Sequence, residues 1–176
     1  NLRLGTQYGN YSDSYPIKCR KSSKVTKELL AYIIKHQFPN GGFGHPIDDL
    51  WCPLALMASG DSKSMRAAKR NVYLQAKSVE NYKNRNEGLI NWHYVTAGVV
   101  LSEYYLKTKD RKILPALQQT YDFLIKSQYT DNSQISKKDP LGNPNRKNPT
   151  KDQAKGGWGH NPGYQGYGPI AMITAK

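Results

Sequence analysis

The sequence predicts an all-α fold, an array of α/α-hairpins in which an inner ring of helices is enclosed by an outer ring. Two observations predict it. The motif Gly-Gly-Phe-Gly-His at 41–45 returns as Gly-Gly-Trp-Gly-His at 156–160, and each copy precedes a Pro-led apolar run. Helical stretches with a single apolar stripe also alternate with stretches that are apolar on most sides. A recurring unit of this kind is typical of repeat architectures.

The N-terminal part predicts an arm followed by a helix. Residues 1–22 are rich in glycine, serine and tyrosine and predict an extended arm, and residues 23–176 predict the hairpin array. Ser22 or Ser23 is the expected N-cap of a first helix that ends near Gln37. The apolar residues of this helix recur at helical spacing: Val25, Leu29, Leu30, Ile33 and Ile34.

The next two predicted helices differ in character. A helix following Asp48 and Asp49, whose carboxylates complement the helix dipole, is apolar nearly all round and is expected to be buried. A third helix, at about 62–82, has one apolar stripe among lysines and arginines, so it is expected to lie on the outside.

This alternation continues along the chain. A fourth helix is predicted at about 93–107, preceded by a turn at Trp92-His93-Tyr94 that is a weaker relative of the glycine motif. Only Glu103 interrupts its apolar face. A fifth helix, at about 111–128, again has a single apolar stripe.

The C-terminal part predicts a long polar insert and a last helix. Residues 129–155 are rich in Asn, Lys, Asp and Pro, and loops of this length are usually functional or disordered. A sixth helix is expected near Tyr167 or Pro169. About three helix pairs make half of a six-pair toroid, and an open inner ring exposes apolar surface. We therefore expect the chain to be a fragment, and a continuation of the same chain or another protomer to complete the ring.

The charge of the chain suggests polyanionic partners. Lys and Arg number 26 against 13 acidic residues, which gives a net charge of +13 and a pI near 9.7. Such a field attracts acidic polysaccharide, nucleic acid or anionic lipid, and the alternative is that the lysines are simply solvated on outer helices. No nucleic-acid-binding motif is present, and no apolar stretch approaches the roughly 18 residues of a membrane span.

The cysteines leave two alternatives open. Cys19 and Cys52 lack metal-binding spacing and are either a disulfide or two separate thiols. Asp49, Cys52 and His93 offer the residue types that the resemblance described below would imply for a prenyltransferase-like zinc site, but Cys52 is more simply a small apolar residue of a buried helix. We therefore predict neither a metal nor another cofactor.

The glycine motifs resemble those of a known superfamily. Gln37 followed by Gly-Gly-Phe-Gly, and the later Gly-Gly-Trp-Gly, resemble the turns of the α/α-toroid superfamily. It includes squalene and terpenoid cyclases, prenyltransferase β-subunits and family 10 polysaccharide lyases. Further segments resemble, in matching order, an uncharacterised bacterial toroid family often linked to a PDZ-like domain: 9–13, 55–60, 92–94, 102–106 and 156–160. The Asp-x-Asp-Asp acid motif of bacterial terpenoid cyclases is absent.

The histidines of the three turns are the main functional candidates, because each precedes a predicted inner helix and should lie at one rim of the ring. The candidate catalytic residues, all able to transfer protons, are His45, His93, His160, Tyr94, Glu103 and Asp49. The candidate sugar-binding aromatics are Trp92, Trp158, Tyr164 and Tyr167. The alternative is that the aromatic and histidine side chains plug the turns structurally.

These patterns leave more than one function open. The first is an extracytoplasmic domain that acts on or binds acidic polysaccharide, as the charge, the aromatic rim and the toroid resemblance suggest. The second is a non-catalytic scaffold within a larger assembly. A terpenoid-cyclase-like enzyme is third, because its acid motif is missing.

Overall fold

The computed structural model describes residues 20–81, 90–130 and 156–159. These ranges contain no β-strand, and the predicted all-α hairpin array is confirmed. The helices are α1 (Arg20–His36), α2 (Pro46–Ser59), α3 (Ser62–Asn81), α4 (Ile90–Thr108) and α5 (Leu114–Ser127), and a 3-10 turn at Arg111–Ile113 precedes α5. The predictions that lie outside the described residues are the arm up to residue 19 with Cys19, the insert from 131 to 155, and the sixth helix.

The chain divides into two compact units, residues 1–36 and residues 37–176. The first contains α1, and the second contains α2 to α5. In the second unit α3 packs against α2, α4 and α5, while α4 also packs against α2 and α5. Short connections join α2 to α3 and α4 to α5, so each pair forms a helical hairpin.

Helix α1 begins earlier than the sequence pattern predicts. It starts at Arg20, so Ser22 and Ser23 lie within its first turn and the prediction that one of them is the N-cap is wrong. Arg and Lys have good helix propensity, which allows the helix to extend in the N-terminal direction. On its surface Lys24 and Glu28 form an i,i+4 ion pair at 3.9 Å.

The core of the second unit lies among its helices. Its fully buried apolar residues include Leu56, Ala68, Val72, Val79, Val100, Leu101 and Ile113. Helices α4 and α5 approach closely at Gly98, where an added Cβ would lie 3.1 Å from Cγ2 of Thr120. The expected burial of α2 holds for one face only: Pro53 and Leu56 are buried, but Trp51 is 63% exposed.

Helix α4 also begins before its predicted start. Ile90, Asn91, Tyr94 and Ala97 are buried at helical spacing, so the helix starts at Ile90. Trp92-His93-Tyr94 therefore lies in the first turns of α4, and the prediction of a separate turn there is wrong. The described residues therefore contain the two glycine turns, and the third predicted turn is part of α4.

The connection between α2 and α3 is held by Asp61. Its carboxylate accepts hydrogen bonds from the backbone N–H groups of Lys63 and Ser64, both at 2.9 Å. The hydroxyls of Ser59 and Ser64 donate to it at 2.9 and 2.5 Å. These bonds, above all the one from the Ser64 hydroxyl, lower the pKa of Asp61 from 3.8 to about 2.

We expect Asp61→Ala to lower the melting temperature at neutral pH, because it removes the acceptor for two N–H groups at the start of α3. The folded pKa lies below the unfolded one, so the contribution of the carboxylate is present above about pH 4 and is lost as the pH falls to about 2. Melting curves of both proteins over this range should converge in acid. A gap that does not change with pH would contradict this explanation, and Asp122→Ala, at an exposed position of α5, is the control.

Candidate functional site

The first glycine turn (residues 37–45) is built by a short set of hydrogen bonds. The backbone N–H of Phe38 donates to the carbonyl of Gly42, and that of Gly41 donates to the carbonyl of Phe38, both at 2.9 Å. The side chain of Gln37 donates to the carbonyls of Gly41 and Ala67, at 2.8 and 2.9 Å. The turn is therefore fastened to α3, on which Ala67 lies.

The second glycine turn (residues 128–129 with 156–159) repeats this pattern. The N–H of Tyr129 donates to Gly157 O at 2.9 Å, the N–H of Gly156 donates to Tyr129 O at 2.8 Å, and Gln128 Nε2 donates to Gly156 O at 2.9 Å. Gly156 has a positive φ of 84°, as Gly41 has one of 97°. The sequence repeat is therefore also a repeat of backbone geometry.

Helix α2 leaves the first glycine turn through His45. This residue is the N-cap of the helix, and its Nδ1 accepts a hydrogen bond from the N–H of Ile47 at 3.2 Å. Pro46 occupies the first helical turn, where its missing N–H has no consequence. Asp48 and Asp49 also lie in the first turn, as predicted. His45 thus has a capping role, and its side chain is exposed.

Asp49 is the centre of a polar network between α2 and α3. One of its carboxylate oxygens, Oδ1, accepts from the N–H of Phe43 at 2.8 Å and from Nδ2 of Asn71 at 2.7 Å. Nε2 of Gln75 donates to the Asp49 carbonyl at 2.7 Å and to Asn71 Oδ1 at 2.6 Å. Asn71 is fully buried and also donates to Gly41 O at 3.1 Å. The network therefore holds Oδ1 of Asp49 in a fixed position.

The environment of Asp49 changes its acidity. Desolvation by burial, assisted by the charge of Asp48, raises the pKa of Asp49, while the hydrogen bonds from Phe43 and Asn71 and the electrostatic interaction with His93 oppose the rise. Burial is the largest of these effects, and the net shift is upward. A carboxyl group with a raised pKa is suited to exchange protons with a ligand.

Asp49 and His93 line a common cleft of about 310 Å³, which we call the glycine-turn cleft. It lies between the first glycine turn, the start of α2, the second half of α3 and the first turns of α4. Its polar lining consists of Asn40, Asp49, Gln75, Ser78, His93 and Thr96. Phe38, whose side chain is 50% exposed, Pro46, Leu74 and Ala97 line the remainder together with Gly42 and Gly44. Among the described residues no Lys or Arg lines the cleft.

The other predicted site residues lie elsewhere. Tyr94 is buried and stacks on Phe123, with ring centroids 3.7 Å apart and planes at 10°. Trp158 is 9% exposed, and its Nε1 donates to the carbonyl of Leu124 at 2.7 Å. Trp92 is half-buried near the start of α4, and Glu103 is exposed farther along the same helix. His160, Tyr164 and Tyr167 lie outside the described residues.

Sequence reasoning missed the amide side chains of the site. Asn71 and Gln75 lie four residues apart on the apolar stripe of α3, where they are buried beside Ala68 and Val72. Polar residues on an otherwise apolar stripe need hydrogen-bond partners inside the fold. Their position on the stripe was therefore the sequence feature from which a buried polar network could have been predicted. Phe38 and Asn40 carried no such signal, because they lie in the turn itself.

Cys52 is near the site but does not share its hydrogen bonds. It is a free thiol on α2, half-buried, and burial, assisted by the charges of Asp48 and Asp49, raises its pKa. A raised pKa keeps a thiol protonated and unreactive. In the part of the chain that the structure describes, no three His, Cys, Asp or Glu side chains are grouped to hold a metal ion.

The chain matches a protein-family model over most of its length. The model of a domain of unknown function, DUF6288, matches residues 22–174. The chain belongs to the DUF6288 family. No curated protein and no solved structure is significantly similar to it.

The DUF6288 match contains the whole glycine-turn cleft and both glycine turns. Over the described ranges of this DUF6288 chain, every helix is too short or too polar to cross a membrane.

Proposed function

We propose that this domain acts on a polysaccharide, holding a sugar residue in the glycine-turn cleft and exchanging protons with it through Asp49 and His93. The observation that carries the proposal is that a carboxyl group of raised pKa and an imidazole line the same cleft. Amide and hydroxyl side chains along the lining, such as Asn40, Gln75 and Ser78, can hydrogen-bond sugar hydroxyls. The exposed ring of Phe38 offers a face on which a sugar can pack.

The composition of the lining favours elimination over hydrolysis. Hydrolysis of a glycosidic bond generally uses two carboxyl groups, one on each side of the bond. The described lining has one carboxyl group, Asp49, and one imidazole, His93. In a lyase reaction on a uronic acid, a base removes the proton from the carbon beside the carboxyl group. A carbon–carbon double bond forms as the bond from the next carbon to the leaving oxygen breaks, and an acid protonates that oxygen. The resemblance to a superfamily that includes polysaccharide lyases agrees with this choice.

The test is turnover of uronic-acid-containing and neutral polysaccharides by the full chain, with unsaturated products measured by ultraviolet absorbance and new reducing ends measured chemically. We expect Asp49→Asn and His93→Gln to lower the rate by about 100-fold or more. Asp49→Asn retains an oxygen to accept from Phe43 and Asn71, so it should fold. The matched control is Glu80→Gln, at an exposed acid on α3. Undiminished turnover by Asp49→Asn would contradict the proposal.

A second function, a non-catalytic scaffold, is supported by a groove of about 770 Å³ between α4 and α5. Leu114, Leu117 and Leu124 line it, and Tyr121 at its border is 62% exposed. Exposed apolar surface of this kind is typical of interaction sites. Absence of turnover on every polysaccharide tested, with correctly folded protein, would favour this second function.

A further inference from the structure

One cluster of positive charge among the described residues of the second unit lies away from the glycine-turn cleft. Four lysines surround the α4–α5 connection at the end where α4 terminates, and we call them the basic end: Lys69, Lys107, Lys109 and Lys112. Nζ of Lys107 lies 3.8 Å from the position that a Cβ on Gly60 would occupy, so the α2–α3 connection is at the same end. Lys107 lies 14 positions after His93 on α4, which places the two about 21 Å apart along the helix.

The lysines of the basic end outnumber the carboxylates beside them. Within the described ranges the ion pair is Lys24–Glu28 on α1, and the basic end takes part in none. Asp110 accepts from the Tyr73 hydroxyl at 2.8 Å and from the N–H of Lys112 at 3.2 Å. These hydrogen bonds, followed by the charges of Lys69 and Lys112, lower the pKa of Asp110. The carboxylates of Asp110 and Asp61 thus lie among four lysines, so the basic end keeps a net positive charge.

Lys109 provides a second, independent observation. Its φ is +57°, and its N–H donates to the carbonyl of Tyr105 at 2.8 Å where α4 ends. Glycine is the residue that takes this left-handed conformation without strain. Strained residues persist where the surrounding structure holds them and are common at functional sites. Here the side chain holds its ammonium group 5.6 Å from the Tyr105 ring centroid.

We propose that the basic end is a second binding surface, separate from the cleft, and that its ligand is an acidic polysaccharide chain. The contact would be electrostatic and would require no chemistry in the cleft. Nucleic acid is less well matched, because single strands stack their bases on open aromatic faces. At the basic end the rings of Tyr73 and Tyr105 are each covered by a lysine, at 5.4 and 5.6 Å. Leu106 is 60% exposed there, and one such side chain does not form the apolar face that membrane insertion uses.

The first test measures binding of polygalacturonate to the full chain by calorimetry at low salt. We expect Lys69→Gln with Lys112→Gln to weaken binding about tenfold, as the loss of two exposed charge contacts implies. The matched control pair, Lys77→Gln with Lys126→Gln, removes equal charge near the other end of α3 and α5 and should have little effect. Turnover is assayed separately with Asp49→Asn. Unchanged turnover in that variant would count against the cleft proposal, and unchanged binding in the Lys69 and Lys112 pair would count against this one.

The second test uses Lys109→Gly. We expect a higher melting temperature, because the strain is relieved, together with weaker polygalacturonate binding, because an ammonium group is lost. A solvated lysine without function would give the higher melting temperature without weaker binding, and that result would overturn the proposal.

In the first test, equal losses of affinity in the two lysine pairs would show that binding depends on net charge as a whole, and this would also overturn the proposal. Tighter binding of single-stranded DNA or of phosphatidylglycerol vesicles, with the same sensitivity to the variants, would overturn the choice of ligand.

Discussion

Gly41→Ala is expected to destabilise the second unit by about 3–5 kcal/mol, combining backbone strain with a clash in a packed region. Gly41 has a φ of +97°, and a Cβ there would lie 2.7 Å from the carbonyl oxygen of Arg70. That oxygen belongs to the backbone of α3 and cannot rotate away as a side chain could. Chemical denaturation of the variant, followed by circular dichroism, measures the loss.

Gly156→Ala is the matched control, because it changes the equivalent position of the second glycine turn. Its φ of +84° carries similar strain, but among the described residues an added Cβ would meet no atom within 4 Å. We expect a loss of only about 1–2 kcal/mol, the cost of placing a side chain in the left-handed region. Equal losses at the two positions would show that the contact with Arg70 is not responsible.

Asp49→Ala is expected to lower the free energy of unfolding by about 1–3 kcal/mol, the usual penalty for leaving buried donors without an acceptor. The substitution removes the oxygen to which Phe43 and Asn71 donate. Asn71 is fully buried, so water cannot readily replace the lost acceptor.

Asp49→Asn should have the opposite effect at neutral pH. Burial raises the pKa of Asp49, so the folded state favours the protonated carboxyl group. The stability that this preference contributes is fully present below the unfolded pKa of 3.8 and is lost as the pH rises through the folded pKa. The neutral amide retains an acceptor and avoids the buried charge. We therefore expect the variant to be more stable than the natural protein at pH 7, with the difference shrinking in acid.

Denaturation of both Asp49 variants across this pH range checks the two expectations together. If Asp49→Asn were less stable than the natural protein at pH 7, the hydrogen bonds of the carboxylate would outweigh its desolvation. A carboxyl group that reduces stability at working pH is characteristic of functional sites, where activity and stability are in conflict.

The periodic features of the sequence predicted most of the fold. Apolar spacing located α2, α3 and α5 to within a few residues, because side chains at i, i+3 and i+4 share a helix face. The start of α4 was missed because Trp92-His93-Tyr94 looked like the glycine turns, whereas buried Ile90 and Asn91 continue the helix in the N-terminal direction. At this helix start, the likeness of three residues to the glycine turns was less informative than the periodicity of the apolar residues.

The candidate site was predicted less completely, for a physical reason. Asp49 and His93 lie 44 positions apart on separate helices, and only the packing of α2 against α4 brings them to one cleft. The turn histidine His45, which looked equivalent to His93, is instead used to cap α2. The location of the basic end could not be predicted either. Net charge is a sum over the whole chain, so it does not show at which end of a helix pair the lysines lie.

The hydrogen bonds of the glycine turns have a consequence for how this chain tolerates change in length. In the first turn they bridge two intervening residues, Pro39 and Asn40, and in the second they bridge residues 130–155 with the same donors and acceptors. The hydrogen bonds of the turn therefore fix the positions of the two ends of the intervening segment, and they do not restrict its length. Because the entropy of closing a loop grows only slowly with its length, this position can gain or lose whole modules while the flanking helices keep their places. It is a natural point for inserting a reporter or for grafting a binding peptide.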